Sequence, residues 1–229
     1  MTQISTLGRS NDLRGSLPWQ NRPRMESREL GGAMECSGAP MLFRRHAEIY
    51  GEGEPADYLY KVVTGVVRTY KVLADGRRQV GGFCLPGDIF GLETGAEHAF
   101  SAETISDCRV LVVKHSTLIA RAKTDHDVAF QLWMLTGGEL RRLQDHVLLL
   151  IKNAPERVAA FLLALAERSS TGNSIELPMS RQDIADHLGL TIETVSRTLS
   201  YLESIEAIEL LSARRVLLRN RCALVRLSA

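Results

Sequence analysis

The sequence predicts an α+β chain in which an antiparallel β region is followed by one long helix and then by a compact helical unit closed by a β-turn. Three observations predict it. Short runs rich in β-branched and aromatic residues, broken by turn residues, extend from Met41 to Leu118. After Asp125 a proline-free stretch carries apolar residues at helical spacing. Further on, Ala185, Gly189 and Val195 stand four and six residues apart, which suits two helices crossing at a steep angle: a small residue for close approach, glycine for the turn, an apolar residue for the core.

Composition narrows the function classes. A chain of 229 residues, 45% of them hydrophobic, holds one large or two small domains with a real core. The formal net charge of +1 excludes a polybasic chain, yet a DNA-binding face needs only a local cluster of cations. No run of about 18 apolar residues occurs, and the N-terminal MTQISTLGRSNDLRGSLPWQ lacks the apolar centre of a signal peptide, so a cytoplasmic protein without a membrane partner is expected. Cys36, Cys84, Cys108 and Cys222 lie far apart with no CxxC pair, which argues against a metal loop and for free, mostly buried thiols. P-loop, G-x-S-x-G and H-E-x-x-H motifs are absent, so neither catalytic residues nor an enzyme is expected.

Each element has its own reason. In residues 1–37, Arg9, Arg14, Arg22, Arg24 and Arg28 are mixed with Gly, Ser and Pro without any period, which reads as a mobile arm. Residues 38–124 form the β region, where Asp75-Gly76 is the strongest hairpin signal and folds Val66 to Leu73 back against Gln79 to Cys84. Residues 125–152 form the long helix. Along it Ala129, Trp133, Thr136, Leu140, Leu143, Val147 and Leu150 recur at alternating spacings of four and three, the heptad seam of a helix that faces a partner helix. Trp133, Leu140, Leu143, Val147 and Leu150 are therefore expected to pair with a second copy; packing of the same stripe on the chain's own β region is the alternative. The Gly137-Gly138 pair weakens the helix in the middle.

Residues 153–229 carry the last unit. Pro155 starts a helix where its missing N–H costs nothing, and Thr171-Gly172-Asn173 ends it. Ser180 then caps a short helix from Arg181 to His187 with Ile184, Ala185 and Leu188 facing inward, and Gly189 breaks it before IETVSRTL. That is a helix-turn-helix. The extended pair in LSARRVLLRN, turning at SARR, adds a wing. Glu193, Ser196 and Arg197 at i, i+3 and i+4 share one helix face. Arg can chelate guanine O6 and N7, Glu can accept from cytosine N4 and Ser can reach either base type, so these three are expected to read bases. A simple Glu193–Arg197 ion pair is the competing reading. Arg214 and Arg215 at the wing tip are assigned with Ser180, Thr191 and Thr194 to the DNA backbone, against the alternative of a merely solvated charged turn.

NAPERVAAFLLAL followed by LPMSRQDIADHLGLTIETVSRTL resembles the regulators of the Crp-Fnr family, and the order of β region, GDIFGLE and long helix matches theirs from about Met41 onward. The E-x-x-S-R string at Glu193, Ser196 and Arg197 is similar to that of the Fnr and FixK branch. The resemblance implies a cyclic-nucleotide-binding-like β-roll, a dimerisation helix and a winged helix-turn-helix. It also implies an activator of microaerobic or anaerobic genes that binds TTGA-N6-TCAA-type inverted repeats as a homodimer and works with RNA polymerase. In the nucleotide-binding members a Gly-Glu pair holds the ribose and an Arg followed by Ser or Thr and Ala holds the phosphate. Here Glu93 is displaced by one position and Phe100 stands in place of the Arg, so cyclic nucleotide is not expected. The iron-sulfur members use three closely spaced N-terminal cysteines and one in the roll; this chain offers Cys36 and Cys108, so no cluster and no other cofactor is expected. The alternative is an effector-gated regulator whose β-roll binds haem, a cluster or a small metabolite, with His46, His98, His115 and His126 as candidate ligands.

Overall fold

The computed structural model describes residues 37–93, 95–168 and 172–228; the expected arm, Cys36 and Thr171 lie outside the described residues, Ser37 excepted. Two four-stranded antiparallel sheets make the N-terminal body. One has the order β1 (Ala39–Phe43), β8 (Cys108–Lys114), β3 (Tyr58–Thr64), β6 (Ile89–Phe90), and the other β2 (Glu48–Tyr50), β7 (Ser101–Thr104), β4 (Val67–Val72), β5 (Arg78–Cys84). Their inward residues, among them Tyr60, Val62, Phe90 and Val110 from the first and Tyr50, Val67 and Ala102 from the second, fill one core. Alternation along β3 explains why it is buried on both faces. Tyr60 and Val62 point into that core, while Leu59 points the other way into a cluster with Ile89, Val113 and Leu118.

The hairpin forms where Asp75-Gly76 places it. Gly76 adopts φ +82°, the Asp75 carboxylate accepts from the Arg77 N–H, and β4 pairs with β5 from Val67↔Cys84 to Val72↔Arg78. The β region ends earlier than Leu118, however. After Lys114 the chain turns into α1 (His115–Ala122), whose Leu118 is buried against the outer face of the first sheet together with Leu132 and Leu135 of the next helix.

That helix, α2, runs without a break from His126 to Leu150, its first N–H groups held by the Asp125 carboxylate. It passes through Gly137-Gly138, where a side chain would meet nothing within 4 Å. Val128, Leu132 and Leu135 face the roll, whereas Trp133, Leu140, Leu143 and Val147 lie open, Trp133 at 75% and Val147 at 62% exposure. Helix α3 (Ala154–Arg168) starts one residue before Pro155, because Asn153 and Glu156 cap each other's backbone N–H reciprocally.

Beyond it lie α4 (Arg181–Leu188), α5 (Ile192–Ser204), β10 (Ile208–Ser212), β11 (Arg215–Leu218) and α6 (Arg221–Ser228). The wing is a three-stranded sheet rather than a hairpin, since β9 (Ser174–Glu176) pairs with the far edge of β11. Neither β9 nor α6 was expected from the sequence. Ile184, Ala185, Leu188, Val195, Leu199 and Leu202 are buried in this unit. The core does not stop at its border: Val66, Val80, Phe83 and Ile105 of the roll are continuous with Val158, Leu162, Ile184 and Leu188.

Candidate nucleic-acid interface

Local chemistry fixes both helices of the helix-turn-helix. Ser180 and Asp183 form a capping box: the Ser180 hydroxyl accepts from Asp183 N–H at 3.0 Å, and the Asp183 carboxylate accepts from Ser180 N–H at 3.0 Å. Gly189 ends α4 at φ +63°, the left-handed region in which glycine carries no steric cost. Two residues later the Thr191 hydroxyl accepts from Thr194 N–H and starts α5. Val195, Thr198, Leu199 and Leu202 turn one face of α5 into the core. Glu193, Ser196 and Arg197 stand on the opposite, exposed face.

The trio is available to a ligand. Glu193 is held below the usual carboxylate range by its own backbone N–H, by the Thr191 hydroxyl and by the nearby Arg197 charge, so it is ionised and an acceptor at neutral pH. Among the described residues Glu193 and Arg197 form no ion pair, so the Arg197 guanidinium is uncommitted while the Glu193 carboxylate leans on the N-terminus of α5. Arg214 sits in the turn of the wing and Arg215 is the first residue of β11; both are exposed, and the turn is anchored by Leu177 N–H donating to Arg214 O at 2.8 Å. Ser180 and Thr191 are exposed and Thr194 half-buried, but their hydroxyls already have work inside the protein. Ser180 donates its proton to Asp183 at 2.7 Å, and the Thr191 and Thr194 hydroxyls pair at 3.0 Å. A donated phosphate contact from Ser180 requires the first of these bonds to open.

The other side of α4 rests on the roll. Asp183, 3% exposed, accepts from Arg68 at 2.5 Å and from Arg78 at 2.7 Å; Arg78 also reaches Asp186 at 2.8 Å, and Arg68 forks onto Glu103 at 3.1 Å. Burial raises the Asp183 pKa, but the Ser180 hydrogen bonds and the two guanidinium charges outweigh it, so the carboxyl stays below its ordinary range. His187 donates Nδ1–H to Val80 O at 3.1 Å and stacks on His146 of α2 at 4.6 Å. Burial, helped by His146, pushes the His187 pKa down to about 4. Sequence reasoning missed this network. The Asp183 and Asp186 spacing puts both carboxylates on one face of α4, but their arginine partners lie on two strands, β4 and β5, more than a hundred residues away.

The four candidate histidine ligands do not converge. His46 is exposed beside Glu103, His98 is buried between Glu93 and the Tyr50 ring at 3.6 Å, His115 holds Gly91 O at 2.9 Å, and His126 opens α2. Cys84 and Cys108 are buried, but Cys222 is exposed on α6, contrary to the expectation of a buried thiol. The α6 helix presents that position outward and buries Leu224 instead. Phe100 lies against β5, at the distance where a Cβ on Gly81 would touch its ring at 3.1 Å.

Comparison with known proteins agrees with this geometry. Residues 40–125 match the cyclic nucleotide-binding domain and residues 156–227 the Crp-like helix-turn-helix domain. The nitrogen fixation regulation protein FixK of Azorhizobium caulinodans is 54% identical over 210 residues, covering 89% of this chain and 85% of that protein. The chain belongs to the Crp-Fnr family. Within it the chain is FixK-like: FixK of Rhizobium meliloti is 42% identical over 86% of this chain and 92% of its own, and the solved structure of FixK2 from Bradyrhizobium japonicum superposes with a TM-score of 0.81 at 52% identity, over 84% of this chain and 98% of that one. As a member of the Crp-Fnr family the protein is a DNA-binding transcriptional regulator, and α4 and α5 are its helix-turn-helix. Among the described residues no helix of this Crp-Fnr regulator is long and apolar enough to cross a membrane.

Proposed function

We infer that the protein is a cytoplasmic, non-enzymatic homodimeric activator of microaerobic or anaerobic genes that binds TTGA-N6-TCAA-type inverted repeats and recruits RNA polymerase without cyclic nucleotide. The observation that carries this reading is the pairing of two exposed surfaces: Glu193, Ser196 and Arg197 on the free face of α5, and the open apolar stripe from Trp133 to Val147 on α2. A chain that leaves about 60% of each of Leu143 and Val147 in water has an uncovered hydrophobic face, and a second copy covers it symmetrically. In this reading Leu150 closes the seam, the trio reads bases, and Arg214, Arg215, Ser180, Thr191 and Thr194 border the phosphates. The two FixK relatives, named for nitrogen fixation regulation, and the anaerobic regulatory protein of Pasteurella multocida, 30% identical over 187 residues, support the gene class. Phe100 in place of a phosphate-binding cation, and Glu93 bonded to buried His98, support independence from nucleotide.

Fluorescence anisotropy of purified protein on a TTGA palindrome, with no added ligand, tests the reading. Tight binding that is indifferent to cyclic AMP is expected, together with a colourless absorbance spectrum. An absolute need for a nucleotide, or bound haem or iron in stoichiometric amount, gives the reading over to an effector-gated regulator.

A further inference from the structure

Helices α2 and α4 end at the same guanidinium. Arg157, early in α3, donates from Nη2 to Leu150 O at 2.5 Å and from Nε to Lys152 O at 2.7 Å; its Nη1 donates to Leu188 O at 2.8 Å and to Gly189 O at 3.4 Å. Leu150 is the last residue of the long helix, Leu188 the last of α4, and Gly189 its left-handed cap. The final carbonyls of a helix have no partner within it and carry the negative end of the helix dipole. A planar guanidinium with five donors in a rigid fork is the side chain that can hold two such ends at once, which an ammonium on a flexible stem cannot do. The two helix ends approach closely there: a Cβ, had Gly189 one, would stand 3.5 Å from Arg157 Nη1 and 3.6 Å from Leu150 Cδ2. Thr191, the cap of α5, follows Gly189 by two residues, so the fork sets where the recognition helix begins relative to the end of the long helix.

We propose that Arg157 is a positioning residue for DNA recognition, locking the turn ahead of α5 to the C-terminus of α2 so that the two recognition helices of a dimer keep one separation and one twist. The inference rests on the homodimer and inverted-repeat reading above. Arg157 reads no base in this arrangement and meets the seam only at the Leu150 carbonyl; it acts through the backbone oxygens of Leu150, Leu188 and Gly189. Its signature is therefore sensitivity to half-site spacing rather than to base identity, because one added base pair moves the half-sites apart by about 3.4 Å and turns them by roughly 35°.

The test uses the full chain and three palindromes: the preferred spacer, and spacers longer and shorter by one base pair. Wild type should prefer the first by at least about tenfold. Arg157→Gln should remain dimeric by sedimentation and keep its preference for TTGA over a scrambled half-site, while cognate affinity falls about tenfold and the spacer preference shrinks to within about twofold. Arg157→Lys keeps the charge but serves one helix end at a time, so it should recover thermal stability and only part of the spacer preference. If the Gln variant does not fold, the Lys variant decides. Either folded variant with the full wild-type spacer preference overturns the inference, whatever its overall affinity. A wild type without any spacer preference removes the inverted-repeat reading itself, and the inference with it.

Discussion

On the proposed reading, two residues of the helix-turn-helix unit divide between reading bases and holding phosphates, and they should fail differently. Arg197 stands on the exposed face of α5 and, among the described residues, has no hydrogen bond or ion pair to give up, so a bidentate contact to guanine would cost it mainly its own side-chain freedom. Arg197→Ala should therefore cost about 1 to 3 kcal/mol on the cognate palindrome and relax preference at one base, with binding to scrambled DNA nearly unchanged; equal losses on both would make Arg197 a backbone contact. Arg214→Ala should behave in the opposite way. Titrations across salt concentration should show weaker binding to every sequence and a slope shallower by about 0.9 for each phosphate that is no longer neutralised. His187 supplies a third, chemical test. Its folded pKa of about 4 lies below the ordinary 6.5, so the unfolded chain binds the proton first as the solution is acidified. Stability is therefore intact above pH 6.5 and falls between 6.5 and 4, by about 3 kcal/mol at most, as the proton is taken up only on unfolding. Asp183, also held down, adds to the loss at lower pH as it is protonated. Urea midpoints of His187→Phe against wild type across that range should show the steeper pH dependence in the wild type.

At the level of elements, α2 is divided along its length between two duties. Its Leu132–Leu135 side belongs to the roll, and its Trp133–Val147 side lies open, the side that the proposed dimer would cover. Leu143→Glu with Val147→Glu should leave the roll-facing side untouched and yield monomers in sedimentation, with cognate DNA affinity falling in step; an intact dimer of the double variant would remove the seam from α2. The open apolar stripe was legible because a heptad is a local pattern, and so were the hairpin at Asp75-Gly76 and the break at Gly189, where one residue's backbone freedom decides the turn. The exposed Phe130 of α2 and Ile151 just past its end stand outside the strict spacing, so the heptad does not mark them. Elements whose identity comes from a distant partner were not legible either. Ser174–Glu176 is a strand because β11 lies beside it, and His115 opens a helix because Leu118 finds the outer face of the roll. Of the candidate site, the trio on α5 was legible in its placement on one exposed face. The commitment of Ser180 to Asp183, and of Asp183 to Arg68 and Arg78, depends on tertiary contact that no short window of sequence contains.

Across the whole molecule, the roll and the DNA-binding unit share one apolar cluster, in which Val80 and Phe83 are continuous with Ile184 and Leu188, and one buried set of charges around Asp183. Two bodies joined this way lose their independence in heat. Melting either one strips apolar cover from the other and leaves Arg68 and Arg78 facing a vacated carboxylate, so intermediates with one half folded are costly. Calorimetry of the wild type should accordingly show a single transition with equal calorimetric and van't Hoff enthalpies. Asp183→Asn removes the charge while nearly keeping the shape; Arg68 keeps Glu103 and Arg78 keeps Asp186, so the coupling should weaken by less than the roughly 3 to 5 kcal/mol that a wholly unpaired buried charge costs. The single peak should then split in two, with the helical unit, whose contacts are mostly local, regaining a melting temperature of its own. The same dependence bears on rate: residues as far apart in the chain as Arg68 and Asp183 must meet before the joint unit is complete, so the whole chain should refold more slowly than a helical unit built on local contacts.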